Sequence, residues 1–136
     1  MKNIKRLLVL KNIYLSAALI WTCFILILCL ATFSNLPNLV VKNADKYIHF
    51  TFHFVFVIIW NIYINYNNLG NRLKSTILIF NSSVVFGVLI ELMQQAFTST
   101  RKFDIFDIFA NTTGAFSALL IILIFHFANK SISKVK

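Results

Sequence analysis

Four long apolar runs, separated by short polar segments, set the pattern of the chain; they fall at about 12–33, 47–66, 75–97 and 105–128. At about 1.5 Å of rise per residue, each run is close to the roughly 30 Å of a bilayer's hydrocarbon core when helical. β-Branched and aromatic residues are frequent, yet the runs are too long and too little alternated for barrel strands. Short connections predict that consecutive helices pack as antiparallel hairpins. The pattern therefore predicts an all-α fold, an integral membrane bundle of four transmembrane helices forming a single domain over 1–136. Lys2, Lys5, Arg6 and Lys11 precede the first run in the manner of a signal peptide. Its apolar stretch exceeds the usual 7–15 residues of such a segment, so it is read as a retained span.

Composition narrows the class. Apolar residues are 59% of the 136 positions and charged residues 12%, against about one half and one quarter in an ordinary soluble domain. Intrinsic disorder, a secreted disulfide scaffold and a nucleic-acid module all fit poorly. Cys23 and Cys29 lie six apart in the first run, outside any C-x-x-C pattern, and read as packing or lipid-facing residues. The net charge of +9 is scattered over connections and ends, which points to anionic lipid head groups and membrane orientation rather than nucleic acid. With the amino terminus inside, nine Lys and Arg fall on the cytoplasmic side and four on the other, so both termini are expected in the cytoplasm. Trp21 and Trp60 lie deeper than an interfacial aromatic belt predicts.

The four carboxylates change the picture most. Asp45, Glu91, Asp104 and Asp107 all fall at or near the same ends of spans two, three and four, the outward ends in this orientation. Each has polar company at helical spacing. Asp45, His49 and His53 follow one another at intervals of four, with Lys46 beside them. Ser83, Gly87, Glu91 and Gln94 or Gln95 trace one face of span three, and Asp104, Asp107, Asn111 and Gly114 one face of span four. A lone charge near the membrane centre costs about 2.5–3.5 kcal/mol even on lenient scales. Glu91, about six residues and roughly 9 Å from its span end, is therefore expected to face the bundle interior, to be protonated or to be paired. Arg101, Lys46 and His49 are the available partners, and the groups are expected to line one pocket open to the outside or the outer leaflet.

Plainer readings stand beside this one. Asp104 reads as a helix cap, Gly87 and Gly114 as close-packing positions, and Gln94, Gln95 and Asn111 as interhelical hydrogen-bonding groups. His49 and His53 have a spacing that can bind zinc, with Glu91 or Asp107 able to supply a third ligand, but the Glu of an H-E-x-x-H motif is missing; no metal and no cofactor is expected. No nucleotide-binding glycine pattern or nucleophile elbow is present.

Asp45-Lys46-x-x-His49-Phe50, then Gly87-x-x-x-Glu91-x-x-Gln94, Arg101, and Asp107-x-x-x-Asn111-x-x-Gly114 resemble, in that order, the VanZ-like family of small bacterial membrane proteins. The resemblance covers about 45–118. It implies a four-span protein of the bacterial cytoplasmic membrane, in a family whose best-known member is associated with low-level teicoplanin resistance. It implies no defined reaction. His53 stands where the family is usually aromatic or aliphatic, and Asp104 lies in a variable stretch, which favours its capping role.

The expected function is a cell-envelope role, binding an anionic lipid or cell-wall precursor near the outer leaflet, with Lys46, Arg101 and Lys102 at the head group. Asp45, Lys46, His49, Glu91, Gln94, Arg101, Asp107 and Asn111 form the candidate cluster. The alternatives are an enzyme acting on a polyprenyl-phosphate or glycolipid, and a proton-coupled carrier. Expected partners are membrane lipids, with no nucleic acid; the oligomeric state is left open.

Overall fold

The computed structural model describes residues 2–31, 44–66, 71–98 and 103–135. They form four helices, α1 (Lys2–Leu30), α2 (Ala44–Tyr66), α3 (Arg72–Phe97) and α4 (Ile105–Val135). All four are long and apolar enough to cross a membrane. All four helices run further at one end than the apolar runs suggest, α2 starting at Ala44. The amino-terminal arm continues α1 back to Lys2, because Lys and Arg are good helix formers. Asn71 starts α3 at Arg72 by accepting from the backbone N–H groups of Leu73 and Lys74 at 3.1 and 3.2 Å. Helix α4 likewise extends to Val135. The end expected for the first span, Phe33, and the connecting Pro37 lie outside the described residues.

Helix α2 is central. It packs against α1, α3 and α4, most extensively against α4, while α1 touches α2 and α3. Its buried stripe of His49, Phe52, His53, Phe56 and Val57 has the i, i+3, i+4, i+7, i+8 spacing of one helical face. Close approach to α4 depends on a small residue. A β-carbon built on Gly114 would fall on the Phe50 carbonyl oxygen and 2.8 Å from its carbon. Ala115 and Ala118 continue that narrow face inward.

The tryptophans that lie too deep for a belt instead fasten α1. Trp21 Nε1 donates to the Phe52 carbonyl and Trp60 Nε1 to Thr22 Oγ1, both at 3.1 Å. Tyr14 and Tyr66 pack ring to ring at 5.0 Å, as an antiparallel α1–α2 pair requires. Cys29 is buried and Cys23 exposed, in keeping with their six-residue separation.

Burial is distributed as in a protein solvated by hydrocarbon. His49, His53, Ser83, Glu91, Gln94 and Asn111 are buried, while Phe97, Phe106, Phe109 and Phe125 are exposed. In water such an outer surface would be an extensive apolar patch; against lipid tails it would be the ordinary boundary.

Candidate functional site

The start of α2, the last two turns of α3 and the start of α4 meet at one end of the bundle. The polar faces read from spacing converge there. Lys46, in the first turn of α2, is the outermost link: its Nζ donates to Asp45 Oδ2 at 3.0 Å, Asp104 Oδ2 at 3.0 Å and Asp107 Oδ1 at 3.1 Å. An ammonium has three hydrogens, and three carboxylates use them. Lys46 therefore bridges α2 to α4 rather than reaching outward to an anion.

Asp104 does two jobs. Its Oδ1 accepts from the Phe106 backbone N–H at 2.8 Å, which caps α4, while Oδ2 takes the Lys46 ammonium. The Lys46 bond and then the cap hold its carboxyl below the usual carboxylate value.

One turn deeper lies the buried centre. Glu91 is 0% exposed, His49 2% and Asp107 7%. His49 Nδ1 pairs with Asn111 Oδ1 at 3.0 Å. The other ring nitrogen, Nε2, is the atom turned toward the carboxylates. It lies 3.9 Å from Glu91 Oε1 and 3.7 Å from Asp107 Oδ2. Glu91 Oε2 in turn accepts from the Asp104 backbone N–H at 3.4 Å, tying α3 to the start of α4.

Below this, Gly87 makes room. A β-carbon there would meet Asn111 Nδ2 at 2.9 Å and His53 Cε1 at 3.2 Å. His53 is fully buried and its Nδ1 pairs with Ser83 Oγ at 2.9 Å. It lies on the same stripe as His49 but is engaged with α3, so the two histidines do not share one ligand position. Among the described residues, His53 Nε2 and Asn111 Nδ2 have no hydrogen-bond partner.

The structure thus brings together Asp45, Lys46, His49, Glu91, Asp104, Asp107 and Asn111. Gln94 is buried but points elsewhere, its Nε2 donating to the Cys29 carbonyl of α1 at 2.9 Å, while Gln95 is exposed. Arg101 and Lys102 lie outside the described residues. A cavity of about 360 Å³ lies toward the other end, lined in part by Asn61, Asn65, Arg72, Thr76 and His126. Asn61 Nδ2 donates to Thr76 Oγ1 at 2.7 Å and Ser75 Oγ to Asn65 Oδ1 at 3.0 Å. Sequence reasoning passed over this second polar end. The i, i+4 spacing of Asn61 and Asn65 late in an apolar span was the available signal.

No family model matches the chain, and no solved structure matches it. Over 104 residues it is 35% identical to an uncharacterized protein of Schizosaccharomyces pombe, covering 76% of this chain. The matched stretch spans 62% of that relative's length.

Proposed function

We propose that the chain is a multi-pass membrane protein of VanZ-like type, with its amino- and carboxy-terminal arms in the cytoplasm, that binds an amphiphile at the charged end of the bundle. One observation carries the reading: four carboxylates, the only ones in the chain, gather with Lys46 and His49 where three helices meet. The positions that carry the VanZ-like resemblance in α2, α3 and α4 are largely those the helices turn inward. Helix gluing alone does not need charge at that depth, since neutral interhelical hydrogen bonds serve and average about 0.6 kcal/mol.

With Lys46 occupied, contact with an anionic head group falls to Arg101 and Lys102, which stand three and two residues before Asp104 in the sequence. The bacterial cytoplasmic membrane and the cell envelope enter through the VanZ-like resemblance alone, and the curated relative is eukaryotic; the head-group reading needs neither. The test is lipid mass spectrometry of the purified protein. One anionic head-group class should be enriched over the host membrane and should fall several-fold in an Arg101→Ala, Lys102→Ala double variant. Bound lipid that mirrors the bulk membrane in both proteins would remove the proposal.

A second reading, an enzyme acting on a lipid-linked substrate, is favoured by the His49 geometry. An imidazole oriented through Nδ1, with Nε2 turned to carboxylates, is arranged like a general base. His49→Ala cells would then accumulate one lipid precursor, which wild type clears and the binding reading leaves unchanged.

A further inference from the structure

Three atoms of metal-ligand type face one another at the heart of the cluster. His49 Nε2, Glu91 Oε1 and Asp107 Oδ2 come from α2, α3 and α4, and donor atoms of these three buried residues lie within 4.8 Å of one another. The separations from Nε2, 3.9 and 3.7 Å, exceed hydrogen-bond length. Each side chain is also held from behind by its other polar atom. His49 Nδ1 pairs with Asn111 Oδ1, Glu91 Oε2 accepts from the Asp104 N–H, and Asp107 Oδ1 accepts from Lys46. Such outer contacts, which fix the tautomer of an imidazole and the swing of a carboxylate, are what aim ligands at a metal ion.

The geometry points to a divalent first-row cation, of the zinc or manganese kind, bound by His49 Nε2, Glu91 Oε1 and Asp107 Oδ2 and clamping α2, α3 and α4 together. Ligand atoms about 2.0–2.2 Å from such an ion at tetrahedral angles sit roughly 3.4 Å apart. The two measured pairs need to close by only a few tenths of an ångström. One imidazole with two carboxylates suits zinc or manganese better than calcium or magnesium, which favour all-oxygen shells. His53, held by Ser83, is not a ligand. The inference rests on the helices' own geometry and stands whether or not an amphiphile binds.

The competing arrangement is an imidazolium at His49 paired to both carboxylates, with Arg101 as a further counter-charge. The full-length protein, purified in detergent and stripped with chelator, is dialysed against Zn²⁺ or Mn²⁺ and analysed for metal. Wild type should retain about one ion per chain, and its thermal midpoint should fall on chelation and recover with metal. Glu91→Gln and Asp107→Asn preserve shape and should lower metal content at least about five-fold and abolish the chelator response. In the Mn²⁺ form, electron spin-echo spectroscopy should show an imidazole nitrogen coupling that His49→Ala removes. Wild type that retains no metal and melts identically with chelator overturns the site in favour of the imidazolium. Equal metal in wild type and both carboxylate variants overturns it as binding elsewhere.

Discussion

The two polar ends of the bundle solve the same problem by different means. Where α2 ends and α3 begins, Asn61 meets Thr76 and Asn65 meets Ser75, neutral amides and hydroxyls in short hydrogen bonds. Where α2 begins, the contacts are between carboxylates, an ammonium and an imidazole. Neutral pairs hold helices together with little desolvation penalty. Buried ions carry a large one, and apolar residues of the same volume often serve stability as well or better. The neutral end is therefore what helix packing needs. The charged end exceeds that need, and the excess is the argument for function.

The contrast is broken most severely at Gly114. Its α-carbon lies against the Phe50 backbone, and that approach sets Asn111 beside His49. Gly114→Ala puts a methyl group onto a carbonyl that cannot move without shifting a helix, so the loss should be about 3 kcal/mol or the folded state itself. Hydrogen exchange should rise along α4 and the first turns of α2, while the Asn61–Thr76 region stays protected. Uniform loss of protection would show that the two ends are one cooperative unit.

Lys46→Met is the next largest. It leaves Asp104 and Asp107 beside one another without their shared ammonium. Removing one partner of a fully buried pair costs about 3–5 kcal/mol. The lysine side chain is 28% and Asp104 37% exposed, so roughly 1–2 kcal/mol is expected after solvent screening. Chemical denaturation of detergent-solubilised protein measures it, and a change below that of Asn61→Ala would mean that this ion cluster contributes no more than the neutral one.

Asn61→Ala should cost only about 0.6–1 kcal/mol. Thr76 Oγ1 keeps its bond to the Arg72 carbonyl at 2.8 Å, so no hydroxyl is stranded. The same denaturation series reads this variant. A loss as large as that of Lys46→Met would erase the distinction between the ends.

The division of labour was partly legible in the sequence. Run length is enough to find four helices, because a hydrocarbon core sets a minimum span that composition reveals directly. The meeting of Glu91, Asp107 and His49 follows from spacing plus the expense of isolating a carboxylate in lipid. Spacing does not say which partner each group takes. The saturation of Lys46 by three acids depends on how α2 and α4 are rotated about their axes, and that rotation is set by Gly114 against Phe50. Gln94 lies three residues beyond Glu91 toward the end of α3, and its Nε2 goes to the Cys29 carbonyl of α1. The deep tryptophans were misplaced by an interfacial rule because each indole N–H found an acceptor inside the bundle. The neutral end went unread because asparagines and threonines in an apolar run bear no charge whose cost demands an explanation.

The finest separation of the two ends is by pH. Asp104 lies just outside the spanning helix, and the Lys46 ammonium, seconded by the Phe106 N–H, lowers its pKa below the ordinary 3.8. A group depressed on folding contributes stability that is complete above its unfolded value and lost as pH falls through the folded one. Stability of the wild type should thus be level from neutrality to about pH 4 as far as this group is concerned, and decline below. Asp104→Asn isolates the charge, since asparagine caps a helix as well as aspartate does. Thermal midpoints taken from pH 6 to pH 3 should converge between the two proteins at the acid end, because protonation makes the wild type resemble its variant. Neither Asn61 nor Thr76 carries a titratable group, so an Asn61→Ala protein should keep the wild-type pH profile, displaced but parallel. A profile that flattened in Asn61→Ala as it does in Asp104→Asn would mean that acid acts on the bundle as a whole rather than through the carboxylates at one end.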